Sequence, residues 1–139
     1  MTEHYERYCR YLETLTPESL ARLSHHVTPD VRFKDPFNDV RGVNSMATVF
    51  RHMFENIPDV RFTARQVMAE GDNCLMTWRF EGKLRGQAWG FDGSSAIRFA
   101  ADGRVAEHID YWDAAENFYE RLPLIGCLMK RIRRRLSVH

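Results

Sequence analysis

Apolar positions recur at two different periods along this chain. In residues 3–15, Tyr5, Tyr8, Leu12 and Leu15 share one side of a predicted helix. Thr16-Pro17-Glu18-Ser19 restarts a second helix that ends near His25-His26. Thr16 suits the N-cap and Pro17 the first helical position, while Ser19 supplies no capping-box acid. Val31-Arg32-Phe33-Lys34-Asp35 alternates as a short strand, and Pro36 stops it. Gly42 precedes a third helix over 43–57, with Met46, Val49, Phe50, Met53, Phe54 and Ile57 at helical spacing and Pro58 at its end.

Beyond Pro58 the period changes to two. Val60, Phe62 and Ala64 alternate through residues 59–69, and Glu70-Gly71-Asp72-Asn73 turns the chain. The next strand carries Cys74, Met76, Trp78 and Phe80 on one face and Thr77, Arg79 and Glu81 on the other. After Gly82-Lys83, a long strand over 85–99 lines up Trp89, Phe91, Ser95, Ile97 and Phe99. Gly90 and Gly93 within it suggest a bulge and a bend. Ala101-Asp102-Gly103 is a hairpin turn into a last strand. There His108, Asp110 and Trp112 share one face, while Val105, Ile109 and Tyr111 point the other way. A helix follows from Ala114. The pattern predicts an α+β domain with helices packed on one face of a strongly curved, mostly antiparallel sheet.

Composition narrows the functional classes. At 139 residues, 44% hydrophobic and 12% aromatic, the chain is one domain with a real core. It contains no run of about 18 apolar residues that would span a membrane. The opening Met-Thr-Glu-His-Tyr-Glu lacks the basic and apolar parts of a secretion signal. Cys9, Cys74 and Cys127 are odd in number and form no CxxC pair, so a reducing cytoplasm is expected. Five of the 20 basic residues fall within residues 130–135. The remaining 15 face 19 acidic ones, a balance that argues against a nucleic-acid-binding core.

His108, Asp110 and Trp112 bring an imidazole, a carboxylate and an indole to one strand face. These groups can move a proton and grip a flat ligand; a buried pair fixing the sheet, or a solvated sheet face, is the alternative. Asp35 reads either as a general base or as the carboxylate of an Asx turn before Pro36. Tyr11 reads either as a site hydroxyl or as a core tyrosine whose hydroxyl needs a partner. His108, Asp35 and Asp110 make a facial triad on paper, but without a second pocket histidine no metal is expected. No Ser-His-Asp motif, phosphate loop or dinucleotide fingerprint is present, and no cofactor is expected.

The order of elements over about residues 3–120 resembles the nuclear-transport-factor-2-like cone, the superfamily of ketosteroid isomerases and SnoaL-like polyketide cyclases. Tyr11 and Phe33-Lys34-Asp35-Pro36 are similar to the isomerase pattern of a helix tyrosine followed, 24 positions on, by a strand aspartate before proline. In those isomerases the tyrosine belongs to an oxyanion hole and the aspartate is the general base. The sequence departs from them at Ser95, which stands where they have a second aspartic acid. It departs again in the polar last strand, which looks more like the SnoaL-like branch with its acid/base aspartate.

The resemblance implies a cone-shaped sheet with N-terminal helices on its concave face, a cystatin-like α+β barrel over residues 1–120. It also implies cofactor-free proton transfer beside a carbonyl: isomerisation, aldol-type cyclisation or hydration. Asp110 or Asp35 would be the base, His108 the orienting or relaying partner, and Tyr11 with Ser95 the oxyanion donors. Trp78 and Trp112 would shape the cavity, with Met76, Phe80, Phe91, Ile97, Val49 and Met53 as lining and core. The ligand would be a small, mainly apolar molecule with one or two oxygens. Alternatively the chain is a non-catalytic binding or interaction domain, and a homodimer through the outer sheet face at Ile109 and Tyr111 is expected.

Residues 121–139 are expected to form a separate basic amphipathic helix and tail. Phe118, Leu122, Ile125, Met129, Ile132 and Leu136 recur as one stripe, with a kink at Pro123 and Gly126. Such a helix docks on the domain or a dimer mate, or lies on anionic membrane lipid.

Overall fold

The computed structural model describes residues 2–118 and 123–137. Helix α1 (Thr2–Glu13) is followed by a 3-10 turn (Ser19–His25), strand β1 (Val27–Lys34), strand β2 (Asp39–Arg41) and helix α2 (Val43–Asn56). Then come β3 (Arg61–Glu70), β4 (Asn73–Leu84), β5 (Gln87–Phe99), β6 (Val105–Tyr111), α3 (Ala114–Asn117) and α4 (Pro123–Leu136). The six strands form one sheet in the order β2-β1-β6-β5-β4-β3. Only β1 and β6 run parallel, and the edges β2 and β3 do not meet, so the curved sheet stays open. The expected α+β architecture with helices over the concave face is the one observed.

Curvature comes from irregular pairing. An extra Arg65 interrupts β3 against β4, and an extra Ala106 interrupts β6 against β5. A third irregularity lies in β1 between Val27 and Arg32. The β6 bulge reverses the expected orientation of Val105, which is fully buried in the core. The bulge expected at Gly90 and Gly93 is absent, because β4 and β5 pair without a break from Asn73↔Arg98 to Leu84↔Gln87. Gly93 instead makes room for the ring of its cross-strand partner Trp78; a Cβ there would lie 2.3 Å from the indole. The hairpin turn is not at Gly82-Lys83. It is at Arg85-Gly86, whose φ values of 55° and 76° give the twist a two-residue hairpin needs.

The second helix is a short 3-10 turn. Ser19 completes its cap without an acid: the Ser19 amide donates to Thr16 Oγ1 at 3.0 Å and the Thr16 amide donates to Ser19 Oγ at 2.9 Å. The core lies between the concave sheet face and α1 and α2. Tyr8, Leu12, Phe33, Met46, Cys74, Met76 and Val105 are buried there. Near the end of the chain, the expected single stripe is split: α3 stops at Asn117, α4 begins at Pro123, and Leu122 lies outside the described residues.

Candidate active site

The floor of the concave face is built by strand register. Ser95 on β5 sits opposite Asp110 on β6, Ile97 sits opposite His108, and Phe33 on β1 pairs with His108 from the other side. Alternation therefore puts Ser95, His108 and Asp110 on one face within a few ångströms of one another. Trp78 on β4 crosses over Gly93 to reach the same group.

These side chains form a continuous hydrogen-bonded relay. Trp78 Nε1 donates to Ser95 Oγ at 2.8 Å, and Ser95 Oγ donates to Asp110 Oδ1 at 2.5 Å. The same Oδ1 lies 2.7 Å from His108 Nε2, and His108 Nδ1 lies 2.7 Å from the Tyr8 hydroxyl. An indole N–H can only donate, so the direction of the relay follows from Trp78. Ser95 accepts from Trp78 and passes its own proton toward Asp110. On the other side the Tyr8 hydroxyl donates to His108 Nδ1, so Nε2 carries the ring proton and donates to Asp110 Oδ1. Burial and the facing Asp110 charge push the Tyr8 hydroxyl well above its ordinary range, so it stays a neutral donor. Tyr8, Ser95 and His108 are each 2% exposed, whereas the Asp110 side chain is 18% exposed. Asp110 is the member of the relay that opens most to solvent, and its Oδ2 has no hydrogen-bond partner among the described residues.

Above this floor is a cavity of about 470 Å³, within the usual range for small-molecule sites. Its walls are aromatic, with Phe91 at their centre. Phe91 stacks on Trp112 at 4.2 Å between ring centroids and also contacts Phe80, Trp89 and Trp78. Helix α2 contributes Val49, Phe50 and Met53. Trp89 donates its indole proton to the Asn117 carbonyl at 2.6 Å, which ties α3 to the rim. Asp35, His108 and Asp110 supply polar groups, and no lysine or arginine among the described residues lines the cavity. No cluster of three His, Cys, Asp or Glu among the described residues could hold a metal ion.

Asp35 both makes a turn and faces the cavity. Its Oδ1 accepts from the Phe37 amide at 2.8 Å, the Asn38 amide at 2.7 Å and the Asn38 side chain at 3.1 Å. Burial pushes its carboxyl above the ordinary range. The Phe37 and Asn38 donors pull it back in part, and the nearby Asp110 charge adds to the rise.

Of the residues expected at the site, Asp35, His108, Asp110, Trp78, Trp112, Phe80, Phe91, Val49 and Met53 line the cavity. Met76 and Ile97 are buried in the core beneath it. Tyr11 does not join them. Its hydroxyl donates to the Ser19 carbonyl at 2.9 Å and its ring stacks on His26, so it ties α1 to the 3-10 turn. The proton of Ser95 is directed at Asp110. Neither hydroxyl proton expected for an oxyanion is therefore left for a ligand. The residue that sequence reasoning missed is Tyr8, one turn before Tyr11 and on the core stripe of α1.

Residues 8–108 match the SnoaL-like domain, and the chain belongs to that family. No curated protein sequence matches the chain. Among solved structures it is similar to a proposed SnoaL-like polyketide cyclase of Jannaschia sp. CCS1, with a TM-score of 0.72 and 20% identity over 83% of this chain and 88% of that one. It is also similar to TerC co-crystallised with polyporic acid, with a TM-score of 0.70 and 16% identity over 83% and 92% of the two chains. An LEH-like epoxide hydrolase of M. tuberculosis gives a TM-score of 0.67 and 17% identity over 99% and 93%. At these identities the likeness establishes the cone fold.

Proposed function

We propose that this chain binds a small, mainly apolar molecule bearing one or two oxygens and catalyses cofactor-free proton transfer beside its carbonyl. The observation that carries the reading is the buried relay ending in a carboxylate at the floor of an aromatic cavity. Asp110 is the base: it takes a proton from the carbon next to the carbonyl. Asp35, whose protonated form burial favours, donates to the carbonyl oxygen as the enol forms. His108 holds Asp110 in place, and Tyr8 is the positioning residue behind it. Returning the proton to another carbon completes an isomerisation; attack of the enol on a second carbonyl would give an aldol-type cyclisation, and addition of water to a conjugated double bond a hydration. The structural neighbour TerC was co-crystallised with a small organic acid, polyporic acid, which is in keeping with a small-molecule site.

Exchange of carbon-bound protons tests the step before the substrate is known. A panel of lipophilic ketones is incubated with the protein in D2O and followed by proton NMR, with binding read from tryptophan fluorescence. The wild type is expected to speed exchange of at least one bound ketone. Asp110→Asn is expected to lose roughly 10²–10⁴-fold of that rate while still binding. Equal exchange by both proteins, or none by the wild type on ketones that it binds, would refute the catalytic reading.

The outer sheet face supports a second copy of the chain as partner. Strand register aligns Met68, Leu75, Ala96 and Ile109 in one row across four strands. Met68 and Leu75 are 72% and 61% exposed, and Tyr111 extends the apolar surface. An exposed apolar row of this kind suits a two-fold interface.

A further inference from the structure

We propose that α4 is a membrane-surface helix that seats the domain on anionic lipid. At 100° per residue, Ile125, Leu128, Met129, Ile132 and Leu136 fall within an arc of about 100° on this helix. Lys130, Arg131, Arg133, Arg134 and Arg135 occupy the rest of its circumference, and α4 contains no acidic residue. The apolar stripe is not used by the domain. Ile125, Leu128, Ile132 and Leu136 are 49%, 54%, 45% and 80% exposed, and among the described residues none of α4 joins the hydrophobic core or packs against it. Among the described residues the principal neighbour of α4 is the short helix α3.

Charge decides among the occupants of this stripe. A second copy of α4 would bring five like charges against five, which opposes pairing through these helices. A nucleic acid would meet the basic side chains but leave the apolar stripe in water. An anionic bilayer satisfies both: aliphatic side chains enter the acyl boundary while the flanking guanidinium groups reach lipid phosphates. The placement also suits delivery of an apolar ligand, because Phe118, five residues ahead of Pro123, lines the cavity. The membrane seat does not depend on the acid/base reading, and the experiment below involves no turnover.

Co-sedimentation of the full chain with vesicles tests the proposal. One set is pure phosphatidylcholine, and the other contains roughly one-third phosphatidylserine. The wild type should pellet with the anionic set at low salt and be released at about 0.5 M NaCl, where charges are screened within a few ångströms. Each basic side chain near such a surface changes partitioning by about fivefold, so Arg131→Gln with Arg134→Gln should weaken binding about 30-fold. Ile132→Asp with Leu136→Asp should abolish it, and an unchanged circular dichroism melt would show that the domain is intact. Wild-type protein that stays in the supernatant with anionic vesicles refutes the proposal. So does binding that ignores lipid charge or salt, or double variants that pellet like the wild type. A drop in solution mass of the Ile132→Asp/Leu136→Asp variant with vesicle binding unchanged would assign the stripe to a second copy and equally overturn the membrane seat.

Discussion

Gly93→Ala places the smallest possible side chain against the relay. The new Cβ would lie 2.3 Å from Trp78 Cη2 and 2.6 Å from Cζ2, closer than real side-chain contacts allow. The indole has little room to retreat: it is 4% exposed, with Phe62 5.4 Å away on one side and Phe91 5.9 Å away on another. Overpacking of this kind costs about 1–3 kcal/mol. A displaced indole also loses its 2.8 Å bond to Ser95, about 1 kcal/mol more. Alanine returns roughly 0.5–1 kcal/mol, because it is less flexible than glycine in the unfolded chain and Gly93 has no positive φ to protect. The expected net loss is about 1–3 kcal/mol. Urea unfolding should show it as a lower midpoint at unchanged slope, and the Trp78 indole proton should move in a nitrogen–proton NMR spectrum. A change below about 0.5 kcal/mol with an unmoved indole resonance would mean that Gly93 does not hold the relay in register.

Two further outcomes follow from the site and the outer face. Asp35 has a folded pKa above its ordinary 3.8, so between those two values the native state binds more protons than the unfolded chain. Stability contributed by Asp35 is therefore greatest in acid and is lost as pH rises through that window. Asp35→Asn keeps an oxygen for the Phe37 and Asn38 amides, and should gain in stability relative to the wild type from about pH 3.8 upward; parallel pH curves for the two proteins would refute the assignment. Leu75→Glu puts a charge in the middle of the exposed apolar row, and sedimentation equilibrium should show half the wild-type mass with stability changed by less than about 0.5 kcal/mol. An unchanged mass would place the interface elsewhere.

Much of this architecture was legible from alternation. Cys74 to Phe80 bury every second residue, and so do Trp89 to Phe99 except at the half-buried Gly93, as a sheet with one covered face must. The same rule put His108 and Asp110 on one face, and the turn before Pro36 was visible at Asp35. What was not legible depended on registers that no local pattern encodes. Strand β2 has three residues, too few to show a period. The bulge at Ala106 turned Val105 inward, and nothing in Arg104-Val105-Ala106 announces it. Arg85 takes a left-handed conformation that favours glycine, so its turn was read three residues early, at Gly82-Lys83. Tyr8 and Tyr11 are three positions apart on one helix, and only the tertiary fold decides which hydroxyl meets the imidazole 100 residues away.

Within the proposed reaction, the relay favours Asp110 over Asp35 as the base. Asp35 Oδ1 takes three N–H donors from its own turn, and its Oδ2 is within 3.3 Å of the Asn38 amide nitrogen. The loop saturates Oδ1, which leaves Oδ2 as the oxygen that would carry the proton Asp35 donates in the proposed reaction. Asp110 has one oxygen pinned from two sides, by Ser95 and by His108, and that pinning prevents the carboxylate from turning about its own axis. Its orientation is set by the paired strands β5 and β6, while its second oxygen makes no protein hydrogen bond among the described residues. A carboxylate held this way meets a ligand without first reorganising, which is where preorganised sites gain their rate. The four groups behind it are buried and satisfied by one another, so the arrangement survives whether or not a ligand is present.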